Sequence, residues 1–172
     1  MTPVTDLELA YRFDEELWEL YLTFEPKTIE LEELVTFFYL PFRLRAGDVE
    51  LFWSPPDYDD EDSYLPALPL LGFVLDLQRE TEFLASGNYT TLIGLDTYGS
   101  LSLTRQAGDY SLVRLYTSMS ATEVLTTWAA WAEAVATLVA TTRRLFSERL
   151  PELAAHPELG PWLKTGTLPT DV

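Results

Sequence analysis

Cysteine is absent from this 172-residue chain, and histidine occurs only once, at His156. Without thiols the chain offers no disulfide, no zinc-finger or iron–sulfur ligand and no cysteine nucleophile. A Ser-His-Asp arrangement would have to use His156, which precedes Pro157 in an acidic segment typical of a protein surface. The eight glycines form neither G-x-x-x-x-G-K-[ST] nor G-x-G-x-x-G, so the sequence contains no phosphate or dinucleotide cradle.

Long apolar runs are also missing. No stretch of about 20 apolar residues occurs, so the sequence predicts no membrane-spanning helix. Residues 1–16 have neither the basic region nor the apolar region of a secretory signal, and we expect a cytoplasmic protein. The 47% hydrophobic and 13% aromatic content is that of a packed globular protein, for which we expect one domain over residues 1–172.

Basic residues are scarce: 11 Lys and Arg stand against 28 Asp and Glu, which gives a net charge of −17. The excess lies in residues 1–62, which contain 17 acidic and only 4 basic residues. A negative field disfavours nucleic acid and anionic membranes as partners and favours basic proteins. The same charge also keeps a protein soluble without any partner, and the composition leaves both interpretations open.

Hydrophobic periodicity predicts an α+β fold, with an antiparallel sheet and two main helices packed on one of its faces. Alternation over residues 7–13 and 18–24 predicts a β-hairpin, and a second hairpin turns at residues 46–48. Residues 28–40 fit a helix or a strand, and their β-forming residues favour the strand. A helix over residues 69–86 precedes a three-stranded meander over residues 91–95, 101–105 and 110–116.

The last long helix is predicted to begin at a capping box, Ser120-Ala121-Thr122-Glu123, and to end at Pro151. From about residue 161 to residue 172 the sequence predicts a tail.

The stretch SPPDYDDEDSYLP, residues 54–66, forms an acidic loop with prolines and tyrosines at its flanks. Asp57, Asp59 and Glu61 have the alternate spacing of the first ligands in an EF-hand. Position six is Asp62 instead of Gly, however, and position twelve is Leu68 instead of Glu. We therefore expect no metal site and no cofactor. A solvated connector and a contact surface for a basic partner both fit this loop.

The candidate partner-binding surface combines the acidic loop with carboxylates on the outer face of the predicted first hairpin. On that hairpin Glu19 and Glu25 face away from the side that carries Trp18 and Phe24. Charge on an outer strand face also serves to prevent edge-to-edge pairing, which is the simpler explanation of these residues. The predicted binding residues are Asp57, Tyr58, Asp59, Asp60, Glu61, Asp62, Glu19 and Glu25, and no catalytic residue is predicted.

The segment YGSLSLTRQAGDYSLVRLYTS, residues 98–118, with its Gly-Asp turn and the helix that follows, resembles the small acidic immunity proteins of bacterial toxin systems. The resemblance assigns no individual residue. It implies a non-enzymatic inhibitor whose anionic surface covers a basic toxin domain. Two alternatives stay open: a structural or adaptor protein, and a carboxylate-based enzyme or small-ligand binder with an aromatic cleft. The last requires a pocket that holds two carboxylates with displaced pKa values.

Overall fold

The structure, a computed structural model, describes residues 1–23, 30–52 and 65–170. These residues form helices and two antiparallel sheets of four strands each, which confirms the α+β class. The strands divide between two sheets instead of one, because the N-terminal strands and the meander do not pair with each other. Both sheets and the helices contribute to one cluster of buried hydrophobic residues.

The first sheet is built around its longest strand, β2 (Tyr39–Ala46), which pairs with β1 (Leu7–Tyr11), β3 (Val49–Glu50) and β4 (Ala67–Pro69). The β2–β3 hairpin confirms the turn predicted at residues 46–48. Gly47 has a φ of +57° there, a left-handed conformation that glycine adopts without strain. β1 finds its partner in β2, with Leu7 opposite Ala46, and not in the residues that follow it.

Residues 15–21 form helix α1 (Glu15–Tyr21), so the strand predicted over residues 18–24 is wrong as far as the structure describes it. The Asp14 side chain accepts a hydrogen bond from the backbone N–H of Leu17 at 2.9 Å, and acidic residues occupy the first turn. Trp18 is completely buried and stacks on Phe38, with ring centroids 4.7 Å apart. An N-cap and a buried tryptophan on one face therefore select the helix.

Residues 30–40, predicted to lie in a single strand, divide between helix α2 (Leu31–Leu34) and the start of β2 at Tyr39. Leu31 and Leu34 are buried, whereas Glu32 and Glu33 between them are exposed. This three-residue spacing of buried side chains suits a helical turn, so the favoured strand interpretation is wrong for residues 31–34, whereas Tyr39 and Leu40 do lie in a strand.

Helix α3 (Leu70–Ala85) confirms the helix predicted over residues 69–86. The second sheet consists of β5 (Thr90–Gly94), β6 (Ser100–Gln106), β7 (Asp109–Thr117) and β8 (Thr122–Thr127), which lie side by side in that order. The first three are the strands of the predicted meander, and β8 is an additional strand.

The predicted capping box is wrong, because its residues enter strand β8, which pairs with β7 from Thr117 opposite Thr122 onward. Helix α4 (Trp128–Arg149) begins after Thr127, whose side-chain oxygen accepts a hydrogen bond from the N–H of Ala130 at 3.1 Å. The prediction that this helix ends before Pro151 is confirmed.

The tail predicted from residue 161 is wrong for its first part, because helix α5 (Leu159–Thr165) packs into the core. Trp162 is completely buried, and its Nε1 donates a hydrogen bond to Gln78 Oε1 in α3 at 2.8 Å. Gln78 Nε2 in turn donates to the backbone oxygen of Gly166 at 2.8 Å. These bonds fix α5 to α3.

Candidate functional site

Of the eight predicted binding residues, Glu19 is the one that the structure describes. It is exposed, but on helix α1 instead of on the predicted strand face. The other seven lie outside the described residues and remain sequence-based predictions: Glu25, Asp57, Tyr58, Asp59, Asp60, Glu61 and Asp62.

Helices α1 and α2 present a set of exposed carboxylates, which we call the α1–α2 acidic surface. Phe38, which follows α2, packs on Trp18 of α1 and lies 5.0 Å from the Tyr21 ring, so the two helices share one aromatic anchor. Tyr21 also accepts a hydrogen bond from the N–H of Tyr39 at 3.0 Å through its hydroxyl oxygen. The acidic surface consists of Glu16, Glu19, Glu30, Glu32 and Glu33.

Arginines of the first sheet are paired with carboxylates of their own sheet. Arg45 contacts Glu8 at 2.9 Å, and Arg43 contacts Glu50 at 3.0 Å. Their charges are thus used within the sheet and do not neutralise the α1–α2 acidic surface.

Arg149 at the end of α4 is the described cation that approaches this surface most directly. Its guanidinium binds both carboxylate oxygens of Glu15, at 2.6 and 3.1 Å, and lies over the Phe13 ring. The charge of Glu19 contributes, after Glu15, to a raised pKa of Arg149. One arginine therefore faces two glutamates, and the surface keeps a negative balance.

A second candidate is a cleft of about 320 Å³ between the C-terminal end of α2, the first turns of α3, β4 and the end of β5. Its walls combine apolar side chains with two carboxylates and a tyrosine hydroxyl: Val35, Thr36, Tyr39, Leu68, Pro69, Gly72, Phe73, Asp76, Gly94 and Asp96. The cleft thus brings together apolar walls and two carboxylates, which are part of what the small-ligand alternative requires.

Two groups of this cleft, Asp76 and Tyr39, have shifted pKa values. Burial raises the pKa of Asp76, while the ion pair with Arg79 at 2.9 Å opposes the rise. Burial also raises the pKa of Tyr39, and the neighbouring Asp96 carboxylate raises it further. No sequence signal singles out these two carboxylates, because Asp76 occupies a polar position of a predicted helix and Asp96 lies between two predicted strands.

Two backbone features shape the same cleft. Gly72 brings α3 against the end of α2 so closely that a Cβ atom there would lie 2.4 Å from the backbone oxygen of Val35. Asp96 has a φ of +54°, a left-handed conformation in which aspartate is several-fold enriched. Both features bring α2, α3 and the end of β5 together around one opening.

His156 has a structural role, contrary to the expectation of a surface residue. Its side chain is buried, and Nδ1 accepts hydrogen bonds from the N–H groups of Glu158 and Leu159, at 3.3 and 3.2 Å. A nitrogen that accepts these bonds carries no proton. The imidazole thereby satisfies backbone donors at the start of α5.

Among residues 1–23, 30–52 and 65–170, no three His, Asp or Glu side chains converge in a way that could hold a metal ion. None of the helices in this part of the chain combines the length and the apolar character needed to cross a membrane.

Comparison with known proteins finds no matching family model, no matching curated protein and no matching solved structure. Functional inference for this chain therefore depends on the chemistry of its own surfaces.

Proposed function

We propose that this chain is a non-catalytic acidic protein that binds a basic protein partner, as an immunity protein or another inhibitor does. The observation that supports the proposal is the α1–α2 acidic surface, whose five exposed carboxylates belong to α1, α2 and the N-cap of α2, and Trp18 of α1 packs on Phe38, which follows α2. We further propose the cytoplasm as its compartment, in keeping with the absence of cysteine.

Anchoring is what makes this surface suitable for recognition. Trp18 contacts Phe38 and also Phe146 of α4, with ring centroids 4.7 and 5.7 Å apart, so α1 is held by a buried aromatic group. Carboxylates on a fixed scaffold repel one another, and a basic partner relieves that repulsion on binding. Complementary charge also accelerates encounter and makes the association sensitive to salt.

The test begins with a partner captured at low salt from the native lysate, purified and titrated by calorimetry at two salt concentrations. A triple variant, Glu19→Gln, Glu32→Gln and Glu33→Gln, removes charge from the α1–α2 acidic surface. We expect roughly three- to hundredfold weaker binding, because each exposed ion pair contributes about 0.2–1 kcal/mol and three are removed.

A matched control neutralises three exposed glutamates elsewhere: Glu133→Gln, Glu152→Gln and Glu158→Gln. The two variants have the same net charge, so a difference between them reports location and not total charge. Equal losses in both variants, or no loss in either, would show that the α1–α2 acidic surface is not the binding site.

The acidic loop is tested separately with Asn or Gln at Asp57, Asp59, Asp60, Glu61 and Asp62. We expect this variant to weaken binding of the same partner further at low salt. Unchanged affinity would identify the loop as a connector.

A second candidate function is the binding of a small cationic ligand in the cleft that holds Asp76 and Asp96. It is favoured by the apolar walls around two carboxylates and by the raised pKa of Asp76, whose cause is burial. Thermal-shift screening with amines and guanidines tests it: a stabilising compound must lose its effect on an Asp76→Asn, Asp96→Asn variant. If no amine or guanidine raises Tm, this candidate fails.

A further inference from the structure

Strand β5 forms one edge of the second sheet. Its hydrogen bonds to β6 show which of its backbone N–H and C=O groups face outward. Two bonds bracket its pairing with β6: the N–H of Arg105 donates to Tyr89 O at 2.7 Å, and the N–H of Leu95 donates to Gly99 O at 2.8 Å. Because donors and acceptors alternate in direction along an antiparallel strand, every second residue of β5 turns away from β6. The backbone groups that face the free edge belong to Thr90, Leu92 and Gly94.

The two edges of this sheet differ in whether another segment of the described chain pairs with them. At the β8 edge, Val4 forms a bridge with Thr126; its N–H donates to Leu125 O at 2.8 Å, and its O accepts from Thr126 Oγ1 at 2.5 Å. No described strand pairs with the outer side of β5. The β5 sequence, TTLIG, has neither the charge nor the proline that usually protects an open edge.

Exposed apolar side chains are concentrated in the segment that contains β5. Of the nine large hydrophobic residues that are exposed in the described part of the chain, four lie between residues 83 and 98, namely Phe83, Tyr89, Leu92 and Tyr98, with exposures of 45, 57, 63 and 37%. A concentration of this kind is typical of an interaction surface.

Carboxylates line the side of the edge that faces α3. The Thr91 hydroxyl, on the inner face of β5, donates to the Glu80 carboxylate. Asp76 lies one helical turn before Glu80 and shares the cleft with Gly94 and Asp96. Helix α3 therefore places Glu80 beside the middle of β5 and Asp76 beside its end.

We propose that the free edge of β5 binds an extended basic segment of the protein partner, which adds a fifth strand to the second sheet. Main-chain hydrogen bonds to Thr90, Leu92 and Gly94 supply the pairing, and alternate side chains supply the selectivity. Side chains that point toward α3 are Lys or Arg, which meet Asp76, Glu80 and Asp96; those on the other face are apolar and contact Leu92. The basic character of the segment rests on the proposed function, whereas the pairing rests on β5 itself.

The direct test uses blocked seven-residue peptides and amide hydrogen exchange of the full chain followed by NMR. A peptide of alternating lysine and valine is expected to slow exchange at Leu92 and Gly94 by at least about tenfold. Neither the glutamate–valine peptide nor a lysine–valine peptide N-methylated at the residues that pair with β5 is expected to do so. Binding of the lysine–valine peptide without protection of these amides would overturn the proposal.

Two substitutions at Leu92 distinguish the contribution of its backbone N–H from that of its side chain. Leu92→Pro removes an N–H that faces the free edge and leaves the β5–β6 ladder intact, whereas Leu92→Thr keeps the N–H and removes the apolar side chain. We expect about tenfold weaker peptide binding for Leu92→Pro and a smaller loss for Leu92→Thr. Asp96→Asn together with Glu80→Gln is expected to weaken the lysine–valine peptide, and equal affinity in that variant would refute the role of the carboxylates.

The purified partner distinguishes this proposal from the proposed function. If the partner binds wild type and Leu92→Pro equally well, the edge proposal fails while the proposed function stands. If the captured partner is not basic but the lysine–valine peptide protects the Leu92 amide, the proposed function fails, whereas the addition of a strand to β5 stands. Self-association of wild type that Leu92→Pro abolishes would assign the edge to a second copy of this chain and overturn the proposal.

Discussion

Replacement of Gly72 by alanine tests whether the close approach of α2 and α3 shapes the cleft. Gly72 lies in the first turn of α3, and alanine has a higher helix propensity than glycine by about 1 kcal/mol. On propensity alone, Gly72→Ala would stabilise the protein. The structure predicts the opposite, because the added Cβ would lie 2.4 Å from the backbone oxygen of Val35.

The size of the expected stability loss depends on how the contact between the added Cβ and the Val35 oxygen can be relieved. Carbon and oxygen atoms pack at about 3.3 Å or more, so α2 and α3 must separate by nearly 1 Å. The obstacle is a backbone carbonyl, which has no rotamer through which to escape. Overpacking costs about 1–3 kcal/mol, and an obstacle that cannot move belongs to the upper part of that range, about 2–3 kcal/mol. Subtracting the propensity gain of about 1 kcal/mol leaves a net loss of roughly 1–2 kcal/mol. For a chain of this size we expect Tm to fall by about 2–8 °C.

Urea unfolding, followed by tryptophan fluorescence, measures this loss as a change in the free energy of unfolding. Gly94→Ala is the matched control in the same cleft, since nothing lies within 4 Å of the Cβ position at Gly94. We expect the control to stay within about 0.5 kcal/mol of wild type. A Gly72→Ala protein as stable as wild type, or more so, would refute the close approach of α2 and α3.

Three further predictions concern helix caps and one carboxylate. Thr127→Ala removes the N-cap of α4 and should cost about 1 kcal/mol in urea unfolding, with Thr127→Ser close to wild type; no loss would contradict the observed helix start. His156→Ala leaves two backbone donors at the start of α5 unpaired and should lower unfolding free energy by about 1–3 kcal/mol; tolerance would argue against the structural role. Burial raises the folded-state pKa of Asp76 above its unfolded value despite Arg79, so charging this carboxyl destabilises the fold as pH rises through the folded pKa. Asp76→Asn should therefore have a higher free energy of unfolding than wild type at pH 7.5, and the difference should narrow toward pH 4. A variant that is less stable than wild type at pH 7.5 would contradict the destabilising effect of this charge.

Elements with strong local signals could be predicted from the sequence. Helix α3 combines a long apolar stripe with a glycine stop, and the meander combines alternation with a Gly-Asp turn at residues 108–109. Such signals lie within one element or one turn, so they need no knowledge of the partner that covers the buried face.

Elements whose form depends on distant partners could not be predicted in the same way. The alternation of Trp18, Leu20 and Leu22 fits a strand, but Leu20 is largely exposed, while Trp18 fills a site formed by Phe38 and Phe146. The available local signal was Asp14, which caps α1. The predicted capping box is wrong for a related reason: Thr122 and Glu123 pair with β7, and pairing across the sheet outweighs a local cap.

The negative charge of the N-terminal third could be predicted, but the surfaces on which it acts could not. Glu19 is exposed on helix α1, as it would also have been on the predicted strand face, and its role in partner binding stays a prediction. The free edge of β5 is different, because a strand becomes an edge only through the order of its sheet. No local property of TTLIG shows that β6 occupies one side and no described strand the other. Charge can thus suggest the chemistry of a partner from sequence alone, whereas the backbone groups available to pair with it emerge only from the topology.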